Sequence, residues 1–141
     1  MTSSGETDLA ALLRGMSPEL HDGDFVFSSV PGKVPPRANP IAFVREEEGI
    51  TLVLPRREAD ELGLPYDYVA AWITLRIHSS LEAVGLTAAV SRVLADAGIS
   101  ANVVSGVRHD HLFVPFTRAR DALRTLRTLS ASQGLDGTFA G

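Results

Sequence analysis

Residues 75–106, LRIHSSLEAVGLTAAVSRVLADAGISANVVSG, decide how this chain folds. The stretch opens with the end of an alternating strand and a short polar turn. It then places apolar residues three and four positions apart, as an amphipathic helix does. Gly98 is typical of a helix C-cap, and a second strand follows it. Because backbone N–H groups are free where a helix begins, the stretch predicts a strand–helix–strand unit with a candidate ligand position at its first turn.

The elements around this stretch complete a larger pattern in the second half of the chain. Apolar alternation and helical spacing predict a strand over 68–77, a helix over about 82–97, strands over 101–105 and 111–115, and a helix over 117–131. In the last helix, the residues predicted to face inward are Ala119, Leu123, Leu126 and Ser130. The order βαββα predicts an antiparallel sheet with both helices on one face. A fourth strand is missing from the C-terminal sequence, and Phe25–Val30 is the simplest segment to supply it.

The first half of the chain carries shorter elements and more turn residues. The sequence predicts a helix over 8–14, a strand over 25–30, a proline-rich loop over 31–40, a hairpin of 41–45 and 50–54, and a helix over 56–62. Thr7 or Asp8 is the expected N-cap of the first helix, and Gly15 is its expected stop. Gly63 is expected to end the second helix.

The length, composition and net charge of the chain restrict the class of protein. A chain of 141 residues with 45% hydrophobic and 21% charged residues is large enough to bury a core and is not globally disordered. Its net charge of −4 provides no basic footprint for nucleic acid. The absence of cysteine excludes disulfides, a thiolate nucleophile and cysteine-bound metals. Because the N-terminus has no signal-peptide pattern and no apolar run approaches the ~20 residues of a membrane span, we expect a cytoplasmic protein without a membrane partner.

Four segments together resemble the ACT domain, a small-molecule-sensing module found beside metabolic enzymes. They are PELHDGDFVFSSV at 18–30, EEEGITLVLP at 46–55, HSSLEAVGLTAAVS at 78–91 and HDHLFVP at 109–115. The chain is similar to short stand-alone bacterial proteins made of two ACT-like units. This resemblance implies an α+β fold of two ferredoxin-like βαββαβ units, in which helices cover one face of each antiparallel sheet.

The resemblance also implies a division of the chain. Residues 1–66 are expected to form an N-terminal ACT-like unit, and residues 67–141 a C-terminal ACT domain. The first unit is reduced or permuted, because it lacks a long helix between its early strands. One strand shared between the two units fits the same division.

ACT modules that bind amino acids do so at the strand–helix turn, together with the entry to the next strand. Carried over by position, this implies ligand-binding roles for His78, Ser79, Ser80, Val84, Gly85, Leu86 and Thr87, opposed by Ile99, Asn102, Val103 and Val104. The positive end of the helix dipole would meet a carboxylate. Asn102 offers both a donor and an acceptor to a zwitterion. No cofactor is implied.

The same residues also have structural interpretations. Ser79, Ser80 and Glu82 fit a capping box, in which a serine hydroxyl accepts from the first turn and the glutamate reaches back. Gly85 either lets a ligand approach closely or lets the helix pack tightly. Asn102 equally fits a residue that satisfies a local turn.

The motif His109-Asp110-His111 suggests a metal, because two imidazoles on one strand face can chelate a transition ion. Two ligands are not a site, and His21 or His78 would have to converge on them. The alternative is that both histidines hydrogen-bond at the strand entrance, with Asp110 in the turn.

Three further features favour structural roles. Glu46-Glu47-Glu48 fits a solvated hairpin tip better than paired catalytic carboxylates. The basic helix face Arg118, Arg120, Arg124 and Arg127 is expected to be solvated, with an acidic partner as the alternative. Trp72 is expected to pack against the other ACT-like unit or a second subunit, with a pocket wall as the alternative.

The sequence therefore favours a regulatory protein of the ACT type, without catalysis of its own, that binds a small molecule and forms a homodimer. An amino acid is the expected ligand. The alternatives are a metal-assisted enzyme using His109 and His111, and a purely structural dimer with no ligand.

Overall fold

The computed structural model describes residues 8–78, 80–81 and 83–133. In chain order the elements are α1 (Leu9–Arg14), β1 (Pro18–Leu20), β2 (Phe25–Val30), β3 (Ala42–Glu46), β4 (Gly49–Pro55), α2 (Arg56–Leu62), β5 (Val69–Leu75), α3 (Leu86–Asp96), β6 (Asn102–Ser105), β7 (Asp110–Pro115), a 3-10 turn (Phe116–Arg118) and α4 (Ala119–Ser132). This α+β architecture confirms the predicted fold class.

The chain divides into two compact units. Among the described residues, the larger unit comprises 8–21 together with 72–133, and the smaller unit comprises 22–71. The larger unit is not continuous in sequence, since the N-terminal residues belong to it. The division at residues 66 and 67 that the resemblance implies stays a prediction about the two ACT-like units.

In the larger unit, β1 pairs antiparallel with the end of β5, with Pro18 opposite Leu75 and Leu20 opposite Ile73. On its other side, β5 neighbours β7, and β7 pairs antiparallel with β6. The strand order is therefore β1-β5-β7-β6. Thus β1 is the fourth strand of this unit, and the predicted Phe25–Val30 also pairs with β5, through Phe25 and Val26 at the start of that strand. A strand of three residues leaves too little alternation to be recognised from sequence.

The helix α3 begins later than the sequence predicts. Its first residue is Leu86, and its N-cap is Gly85 at φ 105°, a left-handed conformation that glycine adopts without strain. The preceding chain forms a turn instead, in which the Ala83 N–H donates to the Ser80 carbonyl at 3.0 Å. The predicted capping box is therefore wrong, because a helix that begins at Leu86 is too far from Ser80; Ser79 and Glu82 lie outside the described residues.

The core of the larger unit lies against α3 and α4. Leu86, Val90 and Leu94 of α3 are buried. In α4 the buried residues are Ala122, Leu126 and Leu129. Only Leu126 matches the predicted inward set; Ala119, Leu123 and Ser130 are half-buried. Ala122, Leu126 and Leu129 are themselves four and three positions apart, so they form a helical stripe that the spacing rule fits as well as it fits the predicted set.

The predicted N-cap and stop of α1 are confirmed. The Asp8 carboxylate accepts the Ala10 N–H at 3.0 Å, and Gly15 closes the helix by donating its N–H to the Ala11 carbonyl at 3.1 Å. Thr7, the other N-cap candidate, lies outside the described residues. α1 contacts both α3 and α4, so it is part of the helical layer of the larger unit.

The smaller unit is a sheet of β3, β4 and β2 with α2 packed on it. β4 pairs antiparallel with both β2 and β3, and the start of β5 pairs with β2. Gly63 ends α2 at φ 66°, as predicted. The core of this unit comprises Val26, Val30, Ile50, Leu52, Leu54 and Ala59.

No helix in the described part of the chain has both the length and the apolar character needed to cross a membrane.

Candidate functional site

The turn before α3 leads into a small cavity of the larger unit. Its volume is about 50 Å³, and its lining residues are Ser80, Leu81, Ala83, Leu86, Thr87, Ser105 and Asp110. Typical small-molecule pockets measure roughly 300–1,000 Å³. The cavity can therefore hold a charged head group or a very small ligand, but not a large side chain.

One wall of the cavity is the beginning of α3. Gly85 has no side chain to cap the helix, and its carbonyl accepts the Ala89 N–H at 2.8 Å. The backbone N–H groups that follow Gly85 precede the first intrahelical hydrogen bond, and they lie at the positive end of the helix dipole. This wall is consequently suited to a negatively charged group.

The cavity lining also includes a buried carboxylate, Asp110, which the sequence does not single out as a site residue. Asp110 is the first residue of β7, is 6% exposed, and lies opposite Ser105 of β6. The prediction that places Asp110 in the turn is wrong, because the strand begins one residue earlier than its apolar alternation suggests. No local motif marks Asp110 as a site residue, since only the pairing of β6 with β7 brings it to the start of α3.

Gly85 is packed against the N-terminal helix. A Cβ added there would lie 3.1 Å from Cδ2 of Leu9 in α1. The positive φ favours glycine at this position, and an added Cβ would in addition need the Leu9 side chain to shift. Of its two sequence interpretations, the geometry favours tight helix packing.

The structure brings together only part of the set that the resemblance implies. Ser80, Leu86 and Thr87 line the cavity, whereas Val84 is 83% exposed and Ile99 is 2% exposed in the core. His78 is half-buried, and Ser79 lies outside the described residues.

The remaining predicted residues lie on β6, away from the beginning of α3. Cross-strand partners share a sheet face, so Asn102 lies on the face of Phe113, and Val104 on the face of His111. Because Asp110 and His111 are consecutive in a strand, that face is opposite to the cavity. Val103 shares the face of Ser105 and Asp110 but does not line the cavity. The ligand-binding role of these residues stays a prediction.

The other face of the sheet in the larger unit carries an aromatic and imidazole cluster. The His21 ring stacks on Trp72 with 3.6 Å between centroids, and Phe113 stacks on Trp72 at 6.2 Å. Thr74 Oγ1 lies 2.7 Å from His21 Nε2 and 3.1 Å from His111 Nδ1, and Trp72 Nε1 donates to His111 Nδ1 at 3.1 Å. Trp72 thus has packing partners inside its own unit.

Burial lowers the pKa of His111 below its ordinary value, and His109 and His21 lower it further. His109 has a buried Nδ1 with no hydrogen-bond partner among the described residues. Within residues 8–78, 80–81 and 83–133, no group of three His, Asp or Glu side chains is placed to hold a metal ion. The geometry therefore gives His109 and His111 no third ligand.

The charged segments lie at the surface. Glu46, Glu47 and Glu48 are exposed at the β3–β4 hairpin. On α4, Asp121 pairs with both Arg118 and Arg124, while an open groove of about 460 Å³ runs past the exposed Arg120 and Arg127. Neither segment brings a carboxylate or guanidinium to the cavity at α3.

Two family models, both described as ACT domain, match this chain in tandem over residues 4–71 and 68–128. Among solved structures, the chain is 48% identical to a protein of unknown function from Vibrio cholerae, a possible transport protein; the match covers 86% of this chain and 95% of that one, with a TM-score of 0.78. No curated protein matches the chain.

More distant structures share the fold. A protein from Agrobacterium tumefaciens is 18% identical, with 80% of this chain and 87% of that one covered and a TM-score of 0.61. The regulatory subunit of aspartate kinase from Thermus thermophilus, in its ligand-free form, is 10% identical, with 79% and 95% covered and a TM-score of 0.57.

Proposed function

The chain belongs to the ACT-domain family, and we propose that it is a regulatory protein that binds a small amino acid at the beginning of α3. ACT domains are typically regulatory ligand-binding modules rather than catalysts. The fold shared with a regulatory subunit of aspartate kinase supports a role of this kind.

The observation that carries the proposal is the charge arrangement of the cavity. The first turn of α3 offers backbone N–H groups to a carboxylate, and the Asp110 carboxylate offers an acceptor to an ammonium group. A zwitterion presents these two charges a short distance apart. The cavity volume of about 50 Å³ favours amino acids whose side chain is very small or points out of the cavity.

A thermal-shift screen against the common amino acids tests the proposal. A ligand present at 100 times its Kd adds about 2.7 kcal/mol to the free energy of unfolding, which raises the melting temperature by several degrees. If no amino acid raises the melting temperature and calorimetry detects no heat of binding, the chain is not an amino-acid sensor.

Asp110→Asn tests the role of the carboxylate. Hydrogen bonds to charged groups contribute about 1.5–3 kcal/mol, so the variant should bind an amino acid at least ~10-fold more weakly. It should bind the analogue that lacks the amino group about as well as the parent chain does. Asp96→Asn, at the far end of α3, is the matched control and should leave both affinities unchanged. Unchanged amino-acid affinity in Asp110→Asn would contradict the assignment.

The homodimer and the cytoplasmic location stay predictions. A C2 dimer is the commonest closed assembly of soluble chains. Light scattering behind gel filtration measures the mass directly, and a monomer at all concentrations would contradict the dimer. The metal-assisted enzyme has no specific observation in its favour, because His109 and His111 have no third ligand among the described residues.

A further inference from the structure

The hydrogen bond between Trp72 and His111 fixes the protonation state of the imidazole. Indole Nε1–H only donates, and it lies 3.1 Å from His111 Nδ1. His111 Nδ1 must therefore carry a lone pair and no proton. A neutral imidazole whose Nδ1 accepts carries its proton on Nε2, so His111 is the neutral Nε2–H tautomer.

Two further residues depend on that tautomer. The Thr74 hydroxyl, whose residue is only 1% exposed, links His111 Nδ1 to His21 Nε2. The His21 ring in turn stacks on Trp72, with the ring planes 10° apart. Thr74 Oγ1 and Trp72 Nε1 thus both contact the unprotonated Nδ1 of His111, and His21 is connected to it through Thr74.

Protonation of that nitrogen reverses the sense of its hydrogen bonds. A protonated Nδ1 only donates, so it faces the indole N–H donor to donor. Thr74 Oγ1 can still accept a hydrogen bond from the protonated Nδ1, but the Thr74 hydroxyl then no longer donates to His111. Because the indole N–H then faces a donor in place of its acceptor, the arrangement around Trp72 must change.

The charged groups around His111 oppose protonation on balance. Burial is the largest cause that keeps its pKa low, and the charges of His109, His21 and Arg76 act in the same direction. Among the described residues, Asp110, on the preceding position of the strand, has the opposite effect. Arg76 is itself paired with Glu19, and across β6 the residue opposite His111 is Val104, which carries no charge.

We infer that His111 is a pH-sensitive switch in the larger unit: neutral His111 holds the Trp72 indole and the Thr74 hydroxyl in place, and protonation at Nδ1 releases the indole. At neutral pH the indole is hydrogen-bonded to His111, and acidification breaks this hydrogen bond. The switch does not depend on the identity of the ligand at α3.

The single tryptophan of the chain makes the switch measurable. We expect the emission of Trp72 to show one reversible transition on acidification, because the indole loses its hydrogen bond and gains a cation beside its ring. The midpoint should lie below about 6.5, the ordinary pKa of histidine. Far-UV circular dichroism measured over the same range separates this change from unfolding.

Three variants assign the transition. His111→Gln keeps an acceptor for the indole but cannot titrate, so the transition should disappear. It should survive in His21→Gln with a changed amplitude, and in His78→Gln unaltered. A transition that survives in His111→Gln and disappears in His21→Gln would assign the proton to His21 and overturn the inference.

The tautomer gives a test that needs no variant. In a long-range ¹⁵N–¹H spectrum of the full chain at neutral pH, His111 should show an unprotonated Nδ1 and a protonated Nε2. A proton on Nδ1 at neutral pH, or a fluorescence midpoint at or above about 6.5, would refute the switch.

Discussion

Replacing Gly85 by alanine should destabilise the protein for two separable reasons. The residue has φ 105°, and an L-residue in a sparsely populated conformation costs about 1–3 kcal/mol. The added Cβ would also lie 3.1 Å from Leu9 Cδ2, so the leucine must shift. Alanine also lowers the conformational entropy of the unfolded chain relative to glycine, which offsets about 0.4–1 kcal/mol of this destabilisation. The net loss should be about 1–3 kcal/mol, or roughly 3–12 °C in melting temperature for a chain of this size.

Two companion variants separate conformational strain from the contact with α1. Gly98→Ala places alanine at φ 75° at the other end of α3, where no atom lies within 4 Å of the new Cβ, so it reports strain alone. Leu9→Ala, made in both the parent chain and Gly85→Ala, completes a double-mutant cycle whose coupling measures the contact. Urea unfolding at neutral pH gives all the free energies.

The cycle has a clear refuting outcome. Leu9→Ala should cost less when alanine occupies position 85, because it then relieves the close contact. If Gly85→Ala leaves stability unchanged, both reasons are wrong. If it lowers stability but the cycle shows no coupling, α1 does not pack on Gly85 in solution. A double variant that folds stably but no longer binds amino acids would revive the interpretation that the glycine admits a ligand.

Three further predictions use other parts of the molecule. Leu126→Ala should cost about 2–5 kcal/mol in urea unfolding, since Leu126 is fully buried in α4, whereas the adjacent exposed Arg127→Ala should stay within about 0.5 kcal/mol. Because the pKa of His111 is lower in the folded than in the unfolded chain, its stabilising effect is complete above about 6.5 and is lost as the pH falls toward the folded value; His111→Gln should remove this part of a stability–pH curve. Tyr66→Phe should cost at most about 1 kcal/mol by thermal unfolding, because its hydroxyl bonds to Arg56 and Asp60 are exposed; a larger loss would show that the surface network orders α2.

The helices and strands whose bounds could be predicted are those set by neighbouring residues in the sequence. Phe25–Val30 and Arg56–Leu62 have the predicted bounds, because apolar alternation defines the first and a left-handed Gly63 ends the second. The helix α1 has its predicted cap for the same kind of reason, since an aspartate immediately before an apolar helix accepts a first-turn N–H.

The features that could not be predicted depend on contacts between distant segments. Ser80 looks like part of a helix cap in sequence, yet α3 begins at Leu86, where Gly85 meets Leu9 of α1. Asp110 becomes a cavity residue only through the pairing of β7 with β6, and β1 pairs with residues more than 50 positions away. Such pairings leave no trace in the local periodicity, so the predicted set includes Ser80, Leu86 and Thr87 of the cavity lining but not Ser105 and Asp110.

The two candidate sites are neighbours along one strand. Asp110 lines the cavity at α3 and His111 contacts Trp72 on the opposite face, so a shift of β7 at either residue moves both side chains. Linkage is reciprocal: if ligand binding changes the proton affinity of His111, acidification changes the ligand's Kd by the same factor. Provided an amino acid binds, calorimetry above and below the Trp72 transition should give different Kd values in the parent chain and the same value in His111→Gln. If the Kd values above and below the transition are equal in both chains, His111 protonation and ligand binding are independent. In that case β7 does not couple the cavity at α3 to the Trp72 cluster.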